Sequence, residues 1–319
     1  LTTTGAYLYL NQNGSSWAPA VQIAATAAAP YTVGTNTDPD FISFRNNAYL
    51  SLLSNNGSGI FTESTLASTS TSTSLPASIA YAPAATTAKT GFIFLAAGAA
   101  GSHSIIQRSN TTFATPTGLT SSILPPNVLK VLAKDIDGDH FVDFALIPKS
   151  GSTIELYQNT TDTSFPAAPT AILTRTAIDG IQDAAFTDLN SDGKADLLLA
   201  TASGLQLYTG NGKFTGLTAN TSVTPKAIST VASSIVPADF TGDGNPDIFM
   251  SVSGANSILL VQTGSLTFSD ITSTAFGNLL TGGTIAAYAA DIDGNGYMDI
   301  LELKSDGSIA VHTNNLKKK

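Results

Sequence analysis

Four stretches of the chain align without gaps: DIDGDHFVDFAL from Asp135, DLNSDGKADLLL from Asp188, DFTGDGNPDIFM from Asp239 and DIDGNGYMDILE from Asp291. Their starts lie 53, 51 and 52 residues apart. A fixed period of this size means that one supersecondary unit is built several times, each copy burying the apolar face its neighbour cannot bury alone. Extending the register backwards places Asp38 and Asp40, in TDPDFISF, in an earlier copy, and TGFIFLAA from Thr90 in another that has lost its carboxylates. Six copies of a loop-plus-strand unit result.

Each copy continues in the same way. A short apolar run such as DLLLA follows the loop, then a Gly/Ser turn, then an alternating segment such as TIELYQNT at Thr153 or GLQLYTGN at Gly204. A second polar turn leads to an aromatic, which is Phe61, Phe113, Phe165, Phe214 or Phe268, with Trp17 in the matching N-terminal stretch GAYLYLNQNGSSWAPAVQI. Period-2 alternation broken by turns every 8 to 12 residues predicts antiparallel strands, and no sustained helical period competes with it. Strand A before the loop, then B, C and D, give four strands per roughly 50 residues, which is the arithmetic of a β-propeller and not of a solenoid.

The expected fold is therefore an all-β propeller of four-stranded blades occupying residues 1–319 as a single domain. Seven C strands against six loops favour seven blades; six is the alternative if residues 17–24 complete the last one. The low-complexity stretch Glu63–Ser78 is expected to project as a loop, and Lys317–Lys319 to form a short basic tail.

The loops carry the chemistry. Their spacing D-x-[DNT]-x-[DN]-x-x-x-D sets side-chain oxygens at positions 1, 3, 5 and 9, with the carbonyl of position 7 as a further donor. The candidate ligands are Asp135, Asp137, Asp139, Phe141 and Asp143; Asp188, Asn190, Asp192, Lys194 and Asp196; Asp239, Thr241, Asp243, Asn245 and Asp247; and Asp291, Asp293, Asn295, Tyr297 and Asp299. Calcium takes six to eight hard oxygen donors and suits such a ladder, whereas magnesium demands stricter octahedral geometry. Thirteen of the 23 acidic residues sit in these loops, and four calcium ions would bring the net charge from −9 to −1. The competing account, aspartates that only cap turns, has to explain four identical ladders.

Gly at position 6 suits a left-handed turn in three copies, and His140 takes its place in the first. The last copy, Asp291 to Glu302, also satisfies the EF-hand spacing. The other copies have Leu146, Leu199 and Met250 where Glu302 stands, so Glu302 is expected to face outward from strand B, with Asp299 closing the loop.

The loops, the period and the C–D strand pattern resemble the FG-GAP or VCBS repeats of integrin-α-type propellers over nearly the whole chain. GAYLYLNQNGSSWAPAVQ also resembles fungal propeller lectins of the Psathyrella velutina type, although their repeated Gly-Trp segment is absent and Trp17 is the single tryptophan. The resemblance implies a secreted or cell-surface, calcium-stabilised propeller that binds an extracellular protein or glycan, as an adhesion or assembly module. A lectin is the alternative role, and a calcium-containing polysaccharide lyase a more distant one.

Composition narrows the field further. The acidic balance excludes a phosphate-binding surface, so nucleic acid is not an expected partner. The longest apolar run, Phe92 to Ala100, has nine residues where a membrane span needs about 20. Five sequons, at Asn13, Asn56, Asn110, Asn159 and Asn220, fit a secreted glycoprotein. There is no cysteine, hence no disulfide or thiolate chemistry. His103, His140 and His312 fall in different copies and are expected at surfaces or turns; no nucleophile and base converge, and the chain is not expected to be an enzyme.

Overall fold

The computed structural model describes residues 6–8, 11–12, 16–17, 21–23, 27–31, 40–44, 49–55, 61–68, 76–83, 90–97, 103–109, 112–113, 117–123, 127–161, 164–175, 180–220, 232–252, 255–276, 283–306 and 308–314. The chain divides into two compact units, Leu1–Leu10 with Trp17–Thr174 and Asn11–Ser16 with Arg175–Lys319.

In the first unit three antiparallel sheets follow the predicted A-B-C-D order. Blade 1 is Ala27–Tyr31, Asp40–Phe44, Tyr49–Asn55 and Phe61–Ser68. Blade 2 is Pro76–Pro83, Thr90–Ala97, Ser104–Ser109 and Thr112–Phe113, with Thr117–Gly118 also pairing to its third strand. Blade 3 is Val128–Lys134, Asp143–Pro148, Thr153–Tyr157 and Ala171–Thr174. In the second unit, blade 4 is Ile181–Thr187, Asp196–Thr201, Gly204–Thr209 and Thr218–Asn220. Blade 5 is Ala232–Ala238, Asp247–Val252, Ile258–Gly264 and Thr267–Asp270. Among the described residues the C-terminal sheet comprises Thr284–Ala290, Asp299–Lys304 and Ile309–His312, its strands A to C.

Four-stranded meanders repeated in this way are propeller blades. Among the described residues five are complete, where the sequence suggested seven or six. Counting loops and C strands overstated the number, because a C strand does not guarantee a full sheet. The N-terminal stretch forms only the pairs Ala6–Leu8 with Val21–Ile23 and Asn11–Gln12 with Ser16–Trp17. The expected projecting loop Glu63–Ser78 is strand at both ends, and residues 69–75 lie outside the described residues. Residues 63–68 belong to strand D of blade 1 and pair with strand C, and 76–78 begin strand A of blade 2. A Ser/Thr run is low in complexity, but threonine is β-branched and fits a strand.

Strand B sits between A and C, which is why its sequence is an unbroken apolar run: DFALIP, DLLLAT and DIFMSV are buried at every position. In the first unit Phe94 meets Phe144 edge to face at 5.3 Å and Tyr157 at 5.4 Å, joining blades 2 and 3. Such aromatic pairs contribute about 0.5–1.5 kcal/mol each beyond burial. In the second unit Leu198, Leu207, Ile235, Met250, Leu260 and Phe268 join blades 4 and 5. Phe240, Phe249, Leu259, Ala287 and Ile300 join blade 5 to the C-terminal sheet.

A register shift recurs at the start of strand A, between Pro76 and Ser78, Val128 and Lys130, Ile181 and Asp183, Ala232 and Ser234, and Thr284 and Ala286. A bulge re-aims the next side chain. That side chain reaches the neighbouring blade: Ser78 Oγ, Asp183 Oδ2 and Ser234 Oγ accept the backbone N–H of Val131, Ile235 and Ala287 at 3.0, 2.9 and 3.4 Å.

Candidate functional site

Each acidic loop connects strand A to strand B, and its ninth aspartate is the first residue of strand B. Asp143, Asp196, Asp247 and Asp299 are fully buried. One oxygen of each accepts the backbone N–H of loop position 2, from Ile136, Leu189, Phe240 and Ile292, at 2.7–3.0 Å. The other accepts an N–H from the end of strand C, from Asn159, Gly210, Gln262 and Asn314, at 2.6–2.9 Å. The carboxylate thus fastens loop, strand B and strand C together.

The first aspartate organises the turn. Asp135, Asp188, Asp239 and Asp291 accept the N–H of position 6, from His140, Gly193, Gly244 and Gly296, at 2.7–2.9 Å. Positions 4 and 6 lie in the left-handed region in every loop: Gly138, Ser191, Gly242 and Gly294, then His140 at φ 72°, with the three glycines at 81° to 89°. His140 therefore adopts the turn that glycine adopts elsewhere. Position 5 accepts the N–H of position 7, from Phe141, Lys194, Asn245 and Tyr297, at 2.8–3.0 Å.

Carboxylate oxygens of Asp135, Asp137 and Asp143 converge to within 4.8 Å of one another, as do those of Asp291, Asp293 and Asp299. These two loops have Asp at position 3; Asn190 and Thr241 replace it in the others, which lowers the local charge. Burial pushes the Asp143 carboxyl up to about 7, against the pull of the Asn159 and Ile136 amides. Burial likewise raises Asp196 and Asp247, and Asp139 nearer the surface. Clustered, desolvated carboxylates with an all-oxygen donor set fit a hard divalent cation, whose charge would offset both burial and mutual repulsion.

Of the sequons, Asn159 is fully buried and leaves no room for a glycan on the folded chain, while Asn220 is half-buried in strand D of blade 4. Asn13, Asn56 and Asn110 lie outside the described residues. His140 is exposed, as expected of a turn. His103 is instead buried, its Nε2 2.8 Å from the carbonyl of Ile123.

Sequence reasoning missed two buried glutamates. Glu155, on strand C of blade 3, accepts hydrogen bonds from Ser121 Oγ (2.6 Å), Ser122 N (2.6 Å) and Oγ (2.7 Å), and Tyr157 Oη (3.0 Å). Glu302 does not face outward; it is fully buried and held by Ser257 (2.6 Å), Thr284 (2.7 Å), Lys304 Nζ (2.9 Å) and His312 Nε2 (2.9 Å). The signal was present in Lys304 and His312, two basic residues on the same strand and the next one of the same sheet. His312 also lines a cavity of about 440 Å³ with Phe240, Leu259, Ile271, Met298 and Ile300.

No curated protein sequence matches the chain. Among solved structures, a lectin of Agrocybe aegerita described for recognition of non-reducing terminal N-acetylglucosamine aligns with a TM-score of 0.62 and 18% identity, over 99% of this chain and 82% of its own. BBS1N, solved in complex with ARL6DN, aligns at 0.58 with 13% identity, over 95% and 83%. The Malassezia sympodialis allergen Mala s 1 aligns at 0.52 with 9% identity, over 91% and 94%. These likenesses establish the propeller fold. The FG-GAP-like repeat matches in three overlapping registers, 135–199, 188–250 and 239–302, each running from one acidic loop into the next. Together they span more than half of the sequence, and the chain belongs to the FG-GAP-like repeat family.

Proposed function

We propose that the protein is a secreted or cell-surface binding module whose blades are fastened by about four calcium ions, one in each acidic loop, and which serves adhesion or assembly by binding an extracellular protein. The carrying observation is that four loops repeat one construction, a ninth aspartate buried between strands B and C, and that in the Asp135 and Asp291 loops two further carboxylates gather within 4.8 Å of it. The chain's own residues form the turn, bring the carboxylates together and exclude water from the ninth. Calcium would supply the neutralising charge.

Binding restricted to the native state stabilises it by about 2.7 kcal/mol at a ligand concentration 100 times Kd. Melting in calcium-free buffer is therefore expected to fall by at least about 5 °C on adding EDTA, and to recover with excess calcium. An unchanged melting temperature sinks the cation reading.

Carbohydrate binding is the second reading, favoured by the near full-length likeness to the Agrocybe aegerita lectin. A glycan array including terminal N-acetylglucosamine separates the two: saturable, sugar-competed binding supports the lectin, and its absence leaves the protein-binding module.

A further inference from the structure

Successive acidic loops in the second unit are tied to one another by a repeated side-chain bond. Gln262, whose backbone N–H meets Asp247 in the Asp239 loop, turns its Nε2 back to the carbonyl of Leu189 in the preceding loop, at 3.0 Å. One repeat later Asn314, whose N–H meets Asp299, places its Nδ2 2.6 Å from the carbonyl of Phe240. Leu189 and Phe240 both occupy loop position 2, the residue whose own N–H is bound by the ninth aspartate of its loop. Each clip therefore joins the buried aspartate of one loop to the backbone that the buried aspartate of the previous loop holds.

Both clips are built tightly. Gln262 is 5% exposed, and its Oε1 has no hydrogen-bond partner among the described residues, so the Nε2 bond alone orients the amide. Asn314 uses its amide a second time on the carbonyl of Met298 (3.2 Å), and its own carbonyl accepts Asn295 Nδ2 at 2.6 Å. Asn295 is a candidate ligand of the last loop, so Asn314 touches both that loop and its predecessor.

A second contact runs beside the first. Position 4 of one loop meets position 7 of the next: Ser191 Oγ lies 3.1 Å from Asn245 Oδ1, and Gly242 lies under the ring of Tyr297, which a Cβ there would strike. Gly210, the counterpart of Gln262 and Asn314 in blade 4, has no side chain and can make no such clip.

We propose that Gln262 and Asn314 are positioning residues that couple the Asp188, Asp239 and Asp291 loops, so that ordering one loop favours ordering, and cation binding, in its neighbour. The cation part rests on the calcium reading above. Coupling of this type changes a neighbour's affinity by about fivefold or more and is reciprocal. It differs from simple stabilisation in that disabling one loop must weaken another that retains all its own donors.

The test is hydrogen exchange, followed by mass spectrometry on the full chain during a calcium titration, with peptides covering 135–143, 188–196, 239–247 and 291–299. Disabling the last loop with Asp291→Asn and Asp293→Asn is expected to raise the calcium midpoint of the 239–247 peptide about fivefold while leaving 135–143 in place. In an Asn314→Leu background the same disabling should no longer move 239–247. Gln262→Met provides the independent version for the 188–196 peptide, should Asn314→Leu fold poorly. A midpoint that shifts equally with and without the clip, or not at all, overturns the coupling. If calcium protects no loop, the calcium reading fails by itself, and metal-free exchange decides the clip. Asn314→Leu must then speed exchange at 240–245 but not at 135–143; equal protection overturns it.

Discussion

Glu155 and Glu302 are both carboxylates buried in the middle of a sheet, yet their surroundings differ in kind. Around Glu155 the donors are three hydroxyls and a backbone N–H, all neutral. Around Glu302 a lysine and a histidine join two hydroxyls. Burial alone would raise both pKa values; in each case the hydrogen bonds outweigh it, and Glu302, with Lys304 and His312, ends at about 2. Neutral donors suffice to hold a buried charge, while a charged partner makes the site depend on keeping both members.

The largest effect is expected from splitting that pair. Glu302→Ala leaves Lys304 inside the sheet without its counter-charge and should cost about 3–5 kcal/mol in denaturant unfolding. Replacing the whole group, Glu302→Leu with Lys304→Met and His312→Leu, should recover most of the loss, because the same strand position holds Leu146, Leu199 and Met250 in other repeats. A triple variant no more stable than Glu302→Ala would mean that the charges specify the sheet and do not merely compensate each other.

Glu155→Gln is expected to cost less, about 1–3 kcal/mol, since its partners are neutral and only one acceptor oxygen is replaced by a donor. Smaller again is Tyr157→Phe, which removes one of the four bonds and should cost about 1 kcal/mol.

Acid unfolding sharpens the same comparison. The folded pKa of Glu302 lies below its ordinary 4.5, so its contribution is whole above pH 4.5 and is lost as the pH falls towards 2. Glu155 is shifted in the same direction. Stability measured from pH 6 to pH 2 should therefore decline below 4.5, and Glu302→Ala should flatten that decline more than Glu155→Gln does. Parallel curves for both variants would break the distinction.

Much of the fold was legible because it repeats. Period, strand order and loop placement could be inferred from one copy and checked against three more; of the recurring aromatics, Phe214 and Phe268 are buried and Phe165 half-buried. What escaped was whatever departs from the repeat. Among the described residues five blades are complete, and counting loops and C strands suggested seven or six because it cannot tell a full sheet from a partial one. Glu302 looked outward because a lone carboxylate in an apolar column is normally solvated, and only the sheet shows Ser257 arriving from another repeat 45 residues away. Within the loops the ninth aspartate was identified as a ligand, but its bond to the end of strand C depends on how B and C pair. The second left-handed turn, at position 4 with Ser191 in one copy, was likewise hidden, since the local sequence favours glycine there without requiring it.

The meander order of every blade also bears on how the chain folds. Apart from Thr117–Gly118, which pairs back to the third strand of blade 2, the pairings within a blade join strands adjacent in sequence, so each hairpin closes a short loop, and closure entropy grows with loop length. Contacts of large separation, such as Gln262 to Leu189 across 73 residues, instead join different blades. The acidic loop is the turn of the first hairpin, A to B, and is complete as a segment before strands C and D have been synthesised. Each prospective cation site is thus synthesised ahead of the strand C whose end binds its ninth aspartate.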